Sequence, residues 1–321
     1  MICKICNKEI ITASIVVKEM MLGLKSRHSY YECTECETLQ IETIPADLTR
    51  YYPDDYYSFS QLPESNIDST FLRKQQSGYL LYNRNIILGS LLSIGYKISD
   101  YIEWSRITGV GYDDAILDVG SGSGSILSKF CRAGFTNLQG IDPFLKQEFI
   151  SENGKLKLLR KSIFDEQSPS VFDLVMLHHS FEHMDAPQAV FQRLSELVKT
   201  GKYLLIRTPV NRSFSSKKYK TDWVDWDPPR HLVVHSRKSI QLLAVKNEFE
   251  LEKVVYDSTA FQFWGSEQYM KGIPLNDPQS YDINKKSTLF TKTQLKEWEL
   301  LATELNRKGE GDQACFYLRK K

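Results

Sequence analysis

A glycine-rich turn directly after a short apolar run is the feature that most constrains how this chain can fold. Residues 116–124 read ILDVGSGSG, so Asp118 precedes three glycines that alternate with serines. Glycine adopts positive φ angles and lets the backbone approach a ligand without an intervening Cβ. A helix that begins near Gly124 directs its free N–H groups into the same space. The segment therefore predicts a cofactor pocket at the end of a first β-strand.

The spacing of the glycines and two acids narrow the class of cofactor. The turn reads G-x-G-x-G, whereas a dinucleotide fold carries G-x-G-x-x-G and a P-loop requires a Lys followed by Ser or Thr. Asp118 would repel a pyrophosphate but suits a cationic ligand such as a sulfonium-bearing amino acid. A second apolar run, residues 138–141, ends in Asp142, which is placed to accept hydrogen bonds from a ribose diol. An ordinary strand-to-helix loop without a ligand is the alternative interpretation.

Strand-like and helix-like segments alternate through the centre of the chain. The predicted strands cover residues 115–119, 138–141, 156–159, 174–177, 203–207 and 251–256, and the predicted helices cover 124–133, 187–198 and 237–247. Alternation of this kind is typical of right-handed βαβ units that form a parallel sheet with helices on both faces. We therefore predict an α/β fold, with one or two further helices between residues 70 and 104.

Together with two later blocks, these residues resemble the class I S-adenosylmethionine-dependent methyltransferases over about residues 112–256. The later blocks are VFDLVMLHHSFEH at 171–183 and PRHL at 229–232, which is followed by Ser236 and by IQLL at 240–243. The resemblance implies a Rossmann-like class I methyltransferase sheet and S-adenosylmethionine as the cofactor. The PRHL block is similar to one bacterial subgroup that acts on small molecules and sugars.

The resemblance also implies which residues bind the cofactor. Open parallel sheets bind ligands beyond the carboxyl ends of their strands, so the loops after the first four strands should surround one crevice. We expect the cofactor-binding residues to be Asp118, Gly120, Ser121, Gly122, Gly124, Asp142, Ser162, Ile163 and His178. Main-chain groups near Ser162 and Ile163 are the expected neighbours of the adenine, and Asp165 is the alternative.

Four of the six cysteines form two C-x-x-C pairs near the N-terminus. In a reducing compartment such pairs are typical of metal ligands rather than of disulfides. Four thiolates suit a tetrahedral structural Zn²⁺, so we predict zinc ligation by Cys3, Cys6, Cys33 and Cys36. A redox dithiol is the alternative. Glycine usually follows the second cysteine of such a turn, and Glu37 stands at that position here, so we expect the second turn to be less regular than the first.

Composition excludes several classes of protein. The chain has 321 residues, of which 41% are hydrophobic and 25% are charged, as in ordinary globular proteins. A net charge of +1 gives no electrostatic reason to expect a nucleic-acid partner. No apolar stretch approaches the roughly 20 residues that span a bilayer, and the N-terminus lacks the apolar core of a secretory signal. We expect a cytoplasmic protein without membrane insertion, and the sequence does not specify its oligomeric state.

Residues 178–183, HHSFEH, hold three of the six histidines. In a helix, His179, Glu182 and His183 would share one face. We predict that His183, together with His179, acts as general base for a hydroxyl acceptor, because the pKa of histidine lies near neutral pH. The loop is similar to the E-x-x-E-H cluster of ubiquinone-pathway O-methyltransferases, with His179 in place of the first acid. One alternative is therefore a divalent-metal site completed by His231, and another is that the loop residues only orient the loop.

We predict four segments along the chain. Residues 1–45 form a zinc-ribbon-like segment, and residues 46–110 hold a tyrosine-rich link, which could roof the active site, and the N-terminal helices. Residues 111–275 form the S-adenosylmethionine-binding domain, with an acceptor-binding lid at about 212–230 that contains Trp223 and Trp226. Core packing is the alternative for these two tryptophans. Residues 276–321 form a polar C-terminal tail with one helical stretch.

The sequence therefore predicts an enzyme that transfers a methyl group from S-adenosylmethionine to a small-molecule or glycan acceptor. An oxygen of the acceptor is the preferred target, and a carbon or a nitrogen is the alternative. A sugar C-methyltransferase is one alternative, although such enzymes normally carry a further C-terminal domain. A second is a non-catalytic cofactor-binding protein that recruits a partner through its ribbon, against which the intact Asp118 and Asp142 argue. A third, a nucleic-acid methyltransferase, is disfavoured by the neutral charge. The acceptor and the pathway are not specified by the sequence.

Overall fold

The structure, a computed structural model, describes residues 1–53, 67–96, 99–166, 169 and 171–321. The chain divides into two compact units. The first unit contains Met1–Pro53, His179–Phe191 and Ile206–Phe316, and the second contains Asp54–His178, Gln192–Leu205 and Tyr317–Lys321. Most of the tyrosine-rich link lies outside the described residues, so the role predicted for it stays a prediction.

Twelve strands and nine α-helices are present in the described part of the chain, besides short 3-10 helices. The strands are β1 (Ile15–Lys18), β2 (Arg27–Glu32), β3 (Leu39–Ile41), β4 (Ile116–Val119), β5 (Leu138–Ile141), β6 (Phe149–Ile150), β7 (Leu156–Leu159), β8 (Phe172–His178), β9 (Val198–Pro209), β10 (Val233–Val234), β11 (Phe249–Tyr256) and β12 (Gln313–Lys320). The helices are α1 (Phe71–Tyr82), α2 (Ile86–Leu92), α3 (Asp100–Thr108), α4 (Ser125–Ala133), α5 (Pro187–Leu197), α6 (Phe214–Tyr219), α7 (Arg237–Lys246), α8 (Phe261–Met270) and α9 (Lys292–Lys308).

A four-stranded sheet in the first unit has the order β1-β2-β3-β10. Neighbouring strands are antiparallel, with Tyr30 opposite Ile41 and Val233 opposite Gln40. The strand β10 directly follows the PRHL block, so a segment far along the chain completes the sheet of the cysteine-bearing N-terminus. The three strands of the first 45 residues therefore share their sheet with a fourth strand from a distant part of the sequence.

The central sheet has eight strands in the order β11-β12-β9-β8-β4-β5-β7-β6. The strand β4 is parallel to both β5 and β8, and β5 is parallel to β7. From β4 the chain builds the sheet first towards β7 and then, from β8 onwards, in the opposite direction. The carboxyl end of β4 is thus a topological switch point, where open α/β sheets bind their ligands. The predicted fold class, a Rossmann-like α/β sheet, is confirmed.

The strand β12 was not predicted from the sequence. It lies between β9 and β11 in the central sheet, within the segment that we predicted to be a polar tail. Its residues Ala314–Leu318 are buried. In the sequence, this short apolar run stands between a polar stretch and the basic residues Arg319–Lys321 and gives no clear strand pattern. In the fold, two other strands flank the run.

Two further observations concern the helices. The predicted helices of the central region are confirmed, with ends that agree within one or two residues. Within the described parts of the chain, none of the helices combines the length and the apolar composition that spanning a bilayer requires.

Candidate functional site

The turn after β4 has the backbone conformation that its glycines predict. The φ angles of Gly120, Gly122 and Gly124 are 75°, 50° and 77°. A Cβ on Gly124 would lie 2.6 Å from a methyl carbon of Leu158. Gly124 is also the N-cap of α4. Position 124 therefore requires glycine for its conformation and for its space.

Asp142 connects this turn to the end of β5. The backbone N–H of Gly122 donates to Asp142 Oδ2 over 2.9 Å, and that of Phe144 donates to Oδ1 over 2.8 Å. Each carboxylate oxygen has a second lone pair, and the side chain is partly exposed. The geometry is compatible with the predicted hydrogen bonds to a ribose, which stay a prediction.

Asp118 is a buried acid at the carboxyl end of β4. The residue is 1% exposed, and no described residue donates a hydrogen bond to its Oδ1. Burial, and secondarily the negative charge of Asp142, raises the pKa of Asp118 to about 7. A cationic group beside this carboxyl would restore its charged form. An amino-acid ligand with a positive charge therefore fits the site.

The loop after β7 is closed on itself. The backbone N–H of Ser162 donates to Asp165 Oδ2 over 2.9 Å, and this bond is the main reason why the pKa of Asp165 is lowered. Ile163 is buried. The Ser162 amide is therefore not free in this conformation to bind an adenine, whereas the exposed Asp165 carboxylate keeps further acceptor positions. The adenine contacts predicted for this loop stay a prediction.

His178, the last residue of β8, packs against an aromatic side chain of α3. The ring centroids of His178 and Trp104 lie 4.1 Å apart, with 31° between the ring planes. Trp104 is 6% exposed. Trp104 stands at the end of the helical region predicted from the sequence and was not predicted to be a site residue.

A second group of polar side chains, in the first unit, begins with the next residue along the chain. Phe181–His183 form a short 3-10 helix and not an α-helix. Glu182 is fully buried, Thr208 Oγ1 donates to its Oε2 over 3.0 Å, and His179 Nδ1 lies 3.5 Å from its Oε1. Burial alone would raise the pKa of Glu182, but His179 and the other nearby histidines hold it well below its usual value. Glu182 is therefore an anion.

Arg207 determines the tautomer of His179. Its Nη1 lies 2.8 Å from His179 Nε2, and a guanidinium can only donate. The Nε2 atom of His179 therefore accepts, and its Nδ1 carries the hydrogen that faces Glu182. Because Arg207 occupies the acceptor nitrogen, the geometry favours an orienting role for His179 over the predicted role as a base.

His183 and His231 are both held by backbone carbonyls. His183 Nδ1 lies 2.8 Å from the carbonyl oxygen of Arg230, and His231 Nδ1 lies 2.8 Å from that of Asp225. A carbonyl accepts, so each Nδ1 carries a hydrogen, and in a neutral ring Nε2 is then the acceptor. Glu182, His183 and His231 each offer a possible metal-ligand atom, and these atoms lie within 4.8 Å of one another. Burial lowers the pKa of His231, which keeps its ring neutral.

Three side chains of this group were not identified from the sequence as site residues. Arg207 and Thr208 lie near the carboxyl end of β9, so the rule that ligands bind at the carboxyl ends of strands could have found them. The third is Asp227, whose side chain pairs with Arg230 three residues later. The spacing D-x-x-R was visible in the sequence, but an acid and a base three residues apart are too common to single out.

The four N-terminal cysteine sulfurs form one cluster. All four Sγ atoms lie within 4.8 Å of one another; the Cys3–Cys36 distance is 3.4 Å and the Cys6–Cys33 distance is 3.5 Å. A tetrahedral Zn²⁺ with bonds of about 2.3 Å separates its sulfurs by about 3.8 Å. The cluster therefore fits the predicted zinc ion.

The two cysteine turns have the same geometry. The N–H of Asn7 donates to the carbonyl of Cys3 over 3.1 Å, and that of Glu37 donates to the carbonyl of Cys33 over 2.7 Å. The φ angles of Asn7 and Glu37 are 59° and 60°. The expectation that the second turn is less regular was wrong, because Glu37 adopts the left-handed conformation despite its Cβ.

The two tryptophans of the predicted lid lie in the interior. Trp223 is 0% exposed and Trp226 is 5% exposed. Trp223 Nε1 donates to Asp312 Oδ2 over 2.9 Å, and Trp226 packs edge-to-face on Tyr30. These contacts support core packing, the alternative for the two tryptophans, and the lid predicted at about 212–230 stays a prediction.

Comparison with known proteins agrees with this geometry. Residues 101–254 match the family model of a methyltransferase domain. This chain carries a methyltransferase domain. The sequence-based prediction of a methyltransferase is thereby confirmed at the level of the domain.

A curated relative, the ubiquinone biosynthesis O-methyltransferase of Vibrio atlanticus (strain LGP32), is 32% identical over 108 residues, which are 32% of this chain and 45% of the relative. The match thus spans less than half the length of that relative. Among solved structures, the O-methyltransferase of a trans-AT PKS multienzyme from Brevibacillus brevis is 14% identical, with a TM-score of 0.42 and coverage of 76% of this chain and 79% of that one. Geranyl diphosphate C-methyltransferase from Streptomyces coelicolor A3(2) is 12% identical, with a TM-score of 0.43 and coverage of 86% and 100%.

Proposed function

We propose that this protein transfers a methyl group from S-adenosylmethionine to a hydroxyl oxygen of a small-molecule or glycan acceptor. Asp118 is the observation that carries the proposal. A buried carboxyl without a hydrogen-bond donor to Oδ1, at the switch point of the sheet, is costly unless a cationic ligand binds there. The methionine part of the cofactor carries such a positive charge.

The residues of this chain would then have separate tasks. Asp118 attracts the cationic end of the cofactor, the glycine turn approaches it closely, and Asp142 accepts from its ribose. When bound, the cofactor supplies an electrophilic methyl group that its sulfonium charge already activates. The protein therefore contributes mainly by positioning, and a base is needed only for a poorly acidic acceptor.

His183 is the proposed base for that acceptor. Its Nδ1 hydrogen is held by the Arg230 carbonyl, which leaves Nε2 free to accept a proton. No described residue hydrogen-bonds to Nε2. The neighbouring His179 differs, since Arg207 already donates to its acceptor nitrogen. The name of the Vibrio relative, an O-methyltransferase, supports transfer to oxygen.

A divalent cation at Glu182, His183 and His231 is a second candidate for the same task. Metal-binding histidines usually donate their other ring N–H to a carbonyl or carboxylate, as both histidines do here. Glu182 adds a negative charge. The cation would lower the pKa of an acceptor hydroxyl, and no separate base would be required.

Methyl-labelled cofactor and a panel of hydroxyl-bearing acceptors, sugars included, would test the proposal. We expect His183→Ala to lower turnover by roughly 10²-fold or more while the affinity for S-adenosylmethionine stays unchanged, because a base acts on the acceptor. His179→Ala is the matched variant and should lose less activity. Wild-type turnover in both variants would contradict the role of the loop.

Activity that a chelator abolishes and Mg²⁺ or Mn²⁺ restores would favour the metal. NMR of the labelled product separates O-methyl from C-methyl transfer.

We also propose that Cys3, Cys6, Cys33 and Cys36 hold one structural Zn²⁺. The closeness of the four sulfurs supports this proposal. A small cysteine-bearing segment of this kind gains much of its folding free energy from the metal.

A further inference from the structure

Arg230 is a buried guanidinium that joins three parts of the first unit. It is 1% exposed. Its Nε donates to Asp227 Oδ2 over 2.9 Å, and its Nη2 also bonds Asp227 Oδ1. In addition, Nη2 donates to Glu19 Oε1 and Nη1 donates to the Tyr51 carbonyl, each over 3.1 Å. Because a buried charge is stable only when it is paired, these partners determine where Arg230 can lie.

Glu19 is a fixed partner in this group. It is 0% exposed, and the chain between β1 and β2 encloses its carboxylate. The N–H of Leu22 donates to Oε1 over 2.7 Å, and the N–H of Leu24 donates to Oε2 over 2.8 Å. An acid bound in this way cannot change rotamer to follow Arg230. Arg230 must therefore come to Glu19.

The backbone carbonyl of the same Arg230 accepts the Nδ1 hydrogen of His183. Arg230 lies in a turn in which its N–H donates to the carbonyl of Asp227 over 3.0 Å while its side chain also returns to Asp227. Side chain and carbonyl are thus parts of one rigid turn. A displacement of the guanidinium would move the carbonyl that determines the tautomer of His183.

We propose that Glu19 is a positioning residue for His183: through Arg230 it holds the carbonyl that keeps the hydrogen on Nδ1 and leaves Nε2 as proton acceptor. This inference rests on the proposed role of His183 as the base. It also assigns a task to the cysteine-bearing N-terminus that needs no partner protein. That segment supports the histidine-bearing stretches of its own chain.

Further hydrogen bonds from the N-terminal segment hold the residues that follow Arg230. Tyr30, in β2, donates its hydroxyl to the carbonyl of His231 over 2.7 Å. Next along the chain, the N–H of Ile41 donates to the carbonyl of Leu232 over 3.0 Å. The stretch from Arg230 to Leu232 is therefore bound to the N-terminal segment at three consecutive residues.

Histidine-ring NMR of the full-length, ¹⁵N-histidine-labelled protein would test the proposal without any acceptor. We expect His183, assigned with His183→Gln, to be the Nδ1–H tautomer in the wild type. In Glu19→Gln the ring should populate both tautomers, because Arg230 loses one of its two anions. Glu42→Gln is the matched control, since it removes an exposed carboxylate from the same segment and should leave the signal unchanged. Once an acceptor is found, Glu19→Gln should lower turnover by roughly 10–100-fold at unchanged cofactor affinity.

Three results separate the proposal from its alternatives. An unchanged His183 tautomer in folded Glu19→Gln overturns it, and so does an Nε2–H tautomer in the wild type, which requires no variant to fold. If Glu19→Gln does not fold, Arg230→Lys keeps the charge but loses the fork geometry and should give the same tautomer mixture. A third result is that the His183 tautomer responds to Glu19→Gln as expected while His183→Ala keeps full turnover. This result would support the positioning of His183 by Glu19 and contradict only the role of His183 as the base.

Discussion

The backbone amide of Gly122 donates to Asp142 Oδ2 over a distance of 2.9 Å. This hydrogen bond joins the turn after β4 to the end of β5 and keeps the Asp142 carboxylate beside the cofactor turn. The charge of Asp142 adds to burial in raising the pKa of Asp118 to about 7. Because Asp118 changes its charge near neutral pH, the binding of a cationic ligand beside it should depend on pH.

We expect the affinity for S-adenosylmethionine to increase as the pH rises from about 6 to about 8. Below its pKa of about 7, Asp118 is protonated and neutral, so a bound cation must first drive off that proton. The dissociation constant should fall by up to roughly tenfold per pH unit below the pKa and then level off. Calorimetry at about pH 6, in two buffers of different ionisation enthalpy, should detect release of up to about one proton. Asp118→Asn should bind weakly and release none, and a pH-independent wild-type affinity would contradict the assignment.

The same carboxyl should affect the stability of the ligand-free protein. The pKa of this carboxyl is 3.8 in the unfolded chain and about 7 in the folded protein. The free energy of unfolding of the protein therefore decreases as the pH rises from 3.8 to about 7. Asp118→Asn has no such charge to bury. We expect it to exceed the wild type in free energy of unfolding by roughly 2–4 kcal/mol at about pH 8 and by much less at about pH 5. Urea denaturation of both proteins at both pH values measures this difference, and an equal gap at the two values would count against it.

Gly124→Ala should destabilise the protein more than Gly154→Ala does. Both glycines have positive φ, 77° and 69°, so both substitutions carry a similar backbone strain of about 1 kcal/mol. An added Cβ at position 154 meets nothing within 4 Å, whereas at position 124 it lies 2.6 Å from Leu158. Displacement of Leu158 should add about 1–3 kcal/mol. Urea denaturation of the two variants isolates the steric part, and equal losses would show that the close approach is unimportant.

Freshly purified protein should contain about one zinc ion per chain, and Cys33→Ser should lose it. Cys131→Ser is the control, because Cys131 is also buried but its Sγ contacts the carbonyl of Ile67 rather than other thiols. Elemental analysis measures the metal. Zinc that persists in Cys33→Ser combined with Cys36→Ser, or its absence from the wild type, would disagree with a four-cysteine site.

Local patterns in the sequence predicted the residues that we propose to bind the cofactor. Asp118, the glycine turn and Asp142 lie within 25 residues of one another, at the ends of two adjacent parallel strands. The two cysteine pairs were also visible as a pattern, since the backbone hydrogen bonds of each turn join residues four or five positions apart. Periodicity predicted the parallel strands and their helices for the same reason. Such features depend on chemistry that neighbouring residues carry with them.

Only the tertiary structure decided what supports the histidines. Glu19 and Arg230 are 211 residues apart, and Tyr30 is 201 residues from His231. Neither pair has a periodic signal, because its two partners lie in segments that are far apart in the sequence. The strand β12 was missed for the same reason: its partners are distant in sequence. The tautomer of His179 depends on a donor from Arg207, and the tautomer of His183 depends on the carbonyl of Arg230. Neither hydrogen bond can be predicted from the sequence, because the fold brings together residues that are far apart along the chain.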